Sequence, residues 1–247
     1  MACLSECLVN IDNDNELFKE HHNIDLIDSL QRLNDASNRS SSLEQMLDNA
    51  LSEILDIFQC DRVWLLHPCD PKAAYFDVKM EKTVAQWPGA HATAIPIKIT
   101  PAYKICIEQF LASSGPIITD IREAAFEREA MEAFSVKVQL SVVIEARMGK
   151  SWLLGLHHCS RYHDFSHAEV KVFNELANRL SESLNSMLAL KNARDSEERF
   201  RTLVEHAPEA ILVLDVASNQ FIDANMNAEV IFGCSRDQCG WEKIFLC

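Results

Sequence analysis

An α+β fold is what this chain of 247 residues predicts, and three stretches carry that expectation. Leu43, Met46, Leu47, Ala50, Leu51, Ile54, Leu55 and Phe58 recur at helical spacing along one stripe, the clearest helix in the chain. Val136 to Glu145 and Trp152 to His158 have strand chemistry and are joined by the turn residues Arg147-Met148-Gly149-Lys150, which predicts a hairpin. From His167 to about Arg201, Phe173, Leu176, Leu180, Leu184, Met187 and Leu190 fall at steps of three and four, so one helix outlasts the domain in which it starts.

The remaining elements follow in chain order. Up to about Asn38 the sequence is acidic and polar, yet Ile24, Ile27, Leu30 and Leu33 recur at steps of three; this predicts a lead-in helix, with a frayed tail as the alternative. Ser41 and Glu44 have capping-box spacing, each able to satisfy a free backbone N–H, so the next helix is expected to begin there. Arg62-Val63-Trp64-Leu65-Leu66-His67 is strand-length and is stopped by Pro68 and Pro71, which cannot donate to a sheet. Tyr75 to Met80 and Ala94 to Ile99 read as two more strands, and Pro96 places the latter at an edge. Gln86-Trp87-Pro88-Gly89-Ala90 between them is a loop, and Pro101 opens a helix to about Ala112. Ser113-Ser114-Gly115-Pro116 turns the chain into Ile117-Ile118, and Arg122 to Phe134 is expected to be rich in helix.

Composition narrows the function. At 48% hydrophobic the chain can bury one substantial core, and its length suits one complete domain plus a partial one. Lys and Arg total 23 against 37 Asp and Glu, a formal net charge of -14, which repels polyanions and excludes nucleic acid as an expected partner. The nine cysteines lack paired metal-ligand spacing, and Met1-Ala2-Cys3-Leu4-Ser5-Glu6 lacks the basic, then apolar pattern of a secretory signal. Reduced thiols, a cytoplasmic location and no direct membrane insertion are expected. Six glycines form no phosphate-cradling cluster, and no H-E-x-x-H or G-x-S-x-G motif occurs, so no enzyme chemistry is expected of this chain.

Cys60-Asp61-Arg62-Val63-Trp64-Leu65-Leu66-His67-Pro68-Cys69-Asp70-Pro71, with Met80-Glu81, Trp87-Pro88-Gly89, Gln139-Leu140-Ser141 and Gly155-Leu156-His157-His158-Cys159-Ser160, resembles a GAF domain of the kind found ahead of PAS domains in bacterial sensor histidine kinases. The resemblance implies a GAF-like central antiparallel sheet with helices packed on it and a long C-terminal signalling helix. Ser196 to Glu205, His206-Ala207-Pro208-Glu209-Ala210-Ile211-Leu212-Val213-Leu214-Asp215 and Phe221-Ile222-Asp223-Ala224-Asn225 resemble the first helix and strands of a PAS domain, continued by Asn227-Ala228-Glu229 and Phe232-Gly233-Cys234-Ser235. The expected organisation is a helical and polar lead-in at 1–40, a GAF sensory domain at 41–190, a linker helix at 191–202 and a PAS segment at 203–247. That last segment is about half the usual PAS length and is expected to be a truncated domain.

The resemblance implies a sensory input module that binds a small molecule, forms a homodimer through the long helix and addresses a kinase or similar output domain. Asn185, Ser186, Asn192 and Arg194 thin the coiled-coil seam, and a lone solvated connector is the alternative. Trp64, Trp87, Trp152, His157 and Cys159 are the candidate pocket residues: tryptophans that could stack on a flat ligand, and a strand histidine and thiol at the pocket border, each also readable as plain core. Strand alternation turns one of His157 and His158 inward and the other outward. Bilin-binding relatives anchor the chromophore through Cys followed by His; here Cys106 precedes Ile107, Cys159 precedes Ser160 and Cys69 precedes Asp70, so no covalent bilin is expected. The cofactor stays unknown, and no metal is expected, since the histidines after His157 lack a second paired ligand set. Asp61 and Arg62 read as a surface pair without a role. The competing readings are a thiol redox sensor or free methionine sulfoxide reductase using Cys69, Cys106 and Cys159, and a ligand-free dimerisation scaffold.

Overall fold

The computed structural model of the chain describes residues 25–93, 96–124, 128–218 and 220–233. Ile24 of the lead-in stripe, Ala94 and Ile95 of the third strand, and Cys234-Ser235 lie outside them. The chain divides into two compact units at Asn185 and Ser186.

The first unit opens with α1 (Leu26–Asn38) and α2 (Leu43–Phe58). The α2 cap sits one residue later than the capping box predicts. Ser42 accepts from the Gln45 N–H, and the Gln45 side chain turns back to accept from the Ser41 N–H, because glutamine at the third helical position reaches the free backbone that Glu44 would have served. The stripe of α2 is buried as its spacing predicts, including Met46, Ala50, Leu51 and Ile54.

Six strands form one sheet in the order β3-β2-β1-β6-β5-β4, every neighbouring pair antiparallel. They are β1 (Arg62–His67), β2 (Tyr75–Thr83), β3 (Ile97–Lys98), β4 (Ile117–Asp120), β5 (Val138–Ile144) and β6 (Trp152–His158). β3 occupies an edge, as Pro96 requires, and is only two residues long among the described ones. Between β3 and β5 lie α3 (Pro101–Ala112) and the short α4 (Arg128–Ala133); residues 121–123 form a turn, so helix covers less of Arg122 to Phe134 than expected. The fold is thus α+β and GAF-like, with the antiparallel sheet at its centre.

Strand alternation divides the sheet into two buried faces. Val63 and Leu65 face α2, which packs on β1 and β2, and Phe58 of α2 meets Phe173 edge to face with ring centres 5.6 Å apart. Arg62, Trp64 and Leu66 point the other way, where α3 contributes Cys106, Ile107 and Phe110 to the same core. Phe173 belongs to α5 (His167–Glu205), which buries Val172, Leu176, Ala177, Leu180 and Leu184 within the first unit. Asn185 does not serve a helix seam: its amide accepts from the Arg147 N–H and donates to the Glu145 carbonyl, tying the β5–β6 loop to α5.

The second unit holds the end of α5, the ribbon β7 (Leu212–Asp215) and β8 (Gln220–Ala224), and α6 (Met226–Phe232). Asn225, expected in the second strand, instead caps α6 by accepting from the Ala228 N–H. It is 1% exposed, accepts also from the Ile211 N–H, and donates to the carbonyls of Val204 and Glu209.

Candidate functional site

The sheet face opposite α2 forms the floor of a cavity with about 790 Å³ of atom-free space, part of it open to solvent. Two cross-strand rows bring its polar groups together: Gln139, His157 and Arg62 lie opposite one another on β5, β6 and β1, and Gly155, Trp64 and Glu81 form the adjacent row on β6, β1 and β2. Opposed residues of an antiparallel sheet share a face, so the register alone gathers these side chains.

Glu81 belongs there because of a bulge. The β1–β2 register slips between Leu65 and Leu66, so Phe76 and Val78 face the cavity and, after the extra residue, so does Glu81, three positions beyond Val78. Two glycines make room. A Cβ on Gly155 would lie 2.2 Å from the Trp64 ring, and one on Gly89 would lie 1.9 Å from the Glu81 carboxylate.

Arg62 is 1% exposed and therefore must be compensated from within. Its Nη2 donates to the Trp87 carbonyl (2.9 Å) and the Pro88 carbonyl (2.8 Å), its Nη1 to His157 Nδ1 (3.1 Å). The Glu81 Oε1 stands 3.6 Å from Nε, an ion pair without a hydrogen bond, and Nε–H has no hydrogen-bond partner. Burial pushes the Glu81 carboxyl above its ordinary pKa against the pull of Arg62. Burial also holds His157 well below its ordinary value, reinforced by Arg62, so the imidazole is neutral. His157 Nε2 lies 2.8 Å from both Trp64 Nε1 and Gln139 Oε1.

Trp64 and His157 therefore line the cavity, and the other expected residues do not. Trp87 and Cys159 pack in a separate apolar cluster with Ala124, Met131 and Val136, although the Trp87 backbone carbonyl serves Arg62. Trp152 packs against His67 with ring centres 4.3 Å apart and the rings tilted by 36°. His158 does turn to the opposite face from His157, but it is buried as well, stacked on His163 at 4.4 Å with neither ring nitrogen hydrogen-bonded.

Arg62, expected at the surface, is instead the centre of the site, and its neighbour Asp61 is also structural. The Asp61 Oδ2 accepts from the N–H groups of Cys159 and Ser160 and from the Ser160 hydroxyl. Burial alone would raise its pKa, and those bonds outweigh burial and lower it. An arginine opening a run of apolar strand residues, with Glu81 and Gln139 in facing strands, was the available signal. The thiols are quiet: burial raises Cys69 to about 12 and Cys159 to about 11. Among the described residues no group of three or more His, Cys, Asp and Glu side chains is placed to hold a metal ion, and no helix is long and apolar enough to cross a membrane.

Residues 198–246 match the PAS domain family. The phycocyanobilin-bound GAF domain from a cyanobacterial phytochrome is similar in structure, with a TM-score of 0.53 and 17% identity, over 66% of this chain and 95% of that one. The blue-light absorbing form of the Thermosynechococcus elongatus PixJ GAF domain gives 0.52 and 21% over 69% and 96%. The GAF domain from an Acinetobacter phosphoenolpyruvate-protein phosphotransferase gives 0.50 and 16% over 68% and 97%. At these identities the likeness speaks to the fold. Among curated proteins none matches.

Proposed function

We propose that the chain is a signalling input module: a GAF sensory domain at 41–190 binds a small molecule and passes its state through a linker helix at 191–202 to a PAS domain at 203–247. One observation carries this reading above the rest. The sheet face opposite α2 presents a cavity with a buried arginine and histidine, a glutamate whose side chain is 4% exposed and a half-buried glutamine at its floor, a costly arrangement that packing alone does not need. A structurally similar GAF domain from a cyanobacterial phytochrome is phycocyanobilin-bound, which supports a small-molecule ligand for this fold. A non-covalent ligand fits better than an anchored bilin, because Cys106, the cysteine at the cavity wall, is followed by Ile107.

The relay runs through a homodimer of the long helix. Leu190, Phe200 and Leu203 are exposed on α5 and would be covered by a second copy. A ligand can move this helix only by its difference in affinity for two helix arrangements. The redox and methionine sulfoxide reductase readings gain nothing from Cys69 and Cys159, whose thiols burial holds protonated, and a ligand-free scaffold gains nothing from an open cavity.

Native mass spectrometry of the full chain, freshly purified, tests both halves. A dimer carrying a retained small molecule is expected. A monomer at every concentration, together with unchanged cross-linking of a Leu190→Cys variant when ligand is removed, would sink the relay.

A further inference from the structure

The hydrogen-bond inventory around His157 does not balance. The donors converging there are Arg62 Nη1–H, Trp64 Nε1–H and the single N–H of the neutral imidazole; the acceptors are its one bare nitrogen and Gln139 Oε1. With the proton on Nε2, that N–H serves Gln139 and Arg62 serves Nδ1, which strands the Trp64 N–H. With the proton on Nδ1, the imidazole N–H faces a guanidinium instead. Turning the Gln139 amide over replaces an acceptor with two more donors, and protonating His157 adds another. Every assignment leaves a donor too many, and Arg62 Nε–H adds a second. Arg62 and Trp64 are both more than nine-tenths buried and both line the cavity.

Resting on the sensory reading above, we infer that the ligand of this cavity is a small monocarboxylic acid with an apolar body, its carboxylate received beside Arg62 and Trp64. Buried donors left without an acceptor are unfavourable, so an acceptor-only group entering from solvent is favoured there over one that brings further donors. Apolar side chains including Phe76, Ile107, Phe110 and Leu153 line the cavity beyond these donors, which suits a phenyl or branched alkyl body. Charge separates a carboxylate from a neutral carbonyl. The Arg62 guanidinium spends Nη2 on the Trp87 and Pro88 carbonyls, while its Nε–H has no hydrogen-bond partner and stands 3.6 Å from Glu81 Oε1, too far to be served by it.

Calorimetric titration of the full chain with phenylacetate and 4-methylpentanoate, each against its own primary amide, decides the matter. The amides match the acids in shape but add an N–H2 and lack charge. The acids are expected to bind at least tenfold more tightly, and the indole N–H resonance of Trp64, assigned by its loss in Trp64→Phe, is expected to shift on titration. Arg62→Met should bring the acid-to-amide ratio close to one; should that variant fail to fold, the ratio and the indole shift in the parent chain stand as the test. Amides binding as well as acids, or neither binding at millimolar concentration, overturns the carboxylate assignment. Amide binding, or an uncharged molecule retained in native mass spectra, would do so while leaving the sensory reading intact.

Discussion

The two units of this chain reach order by different means. In the first, both faces of the sheet are buried, and Leu65, Leu140, Leu154 and Leu156 are fully inaccessible. In the second, the ribbon leaves Val213 43% and Ile222 62% exposed, α6 leaves Val230 73% exposed, and the buried apolar cluster comprises Ala224 and Ala228. What organises that unit is polar: Asn225 holds the backbone entering β7, at Glu209 and Ile211, the end of α5 at Val204, and the start of α6 at Ala228. Apolar area is forgiving about geometry, whereas a bracket of directional bonds fails when one atom is changed.

The contrast can be broken most forcefully at its polar exception in the first unit. Arg62→Met leaves Glu81 buried without a cation and should destabilise the chain by about 3–5 kcal/mol in urea unfolding. A loss under 1 kcal/mol would mean that the buried cluster is solvated. Next, Leu154→Ala should cost about 2–5 kcal/mol, whereas Val213→Ala on the exposed ribbon should stay within about 0.5 kcal/mol. Equal effects would abolish the distinction between the units. Asn225→Asp keeps the cap acceptor but cannot donate to Val204 or Glu209; a cost of about 1–3 kcal/mol is expected, read as lost hydrogen-exchange protection at Ile211 and Ala228.

Acid should act with a size similar to that of the Asn225 substitution. Burial lowers His158 to about 4, and His157 moves the same way, so the unfolded chain takes up protons at a pH where the folded one does not. Stability should be complete above pH 6.5 and fall on acidification through 6.5 toward 4, by about 2 kcal/mol at pH 5 for His158 alone. The same scan on His158→Phe should remove the His158 share of that fall, leave the His157 share, and leave the second unit's exchange unchanged.

Periodicity made α2, α5 and the β5–β6 hairpin legible in the sequence, because apolar burial repeats with the pitch of each element. The site was legible only in part. Trp64 and His157 were found as large or ligating residues on strands, but Trp87, Trp152 and Cys159 went to other packing because residue type does not reveal strand face. Arg62 was misread for a general reason: a charged residue beside Asp61 suggests water, and only register brings His157 and Gln139 across to it. The bulge that turns Glu81 inward leaves no mark in a pattern of alternating residues.

The β5–β6 hairpin carries one more consequence. Gln139 and His157 sit at one end of it, and the Glu145–Arg147 loop clasped by Asn185 sits at the other. Two hydrogen-bonded strands of seven residues, about 20 Å from end to end and held between β1 and β4, resist stretching and join those ends stiffly. On the proposed reading, a ligand that repositions the imidazole end would be felt at the last turn of α5 in the first unit.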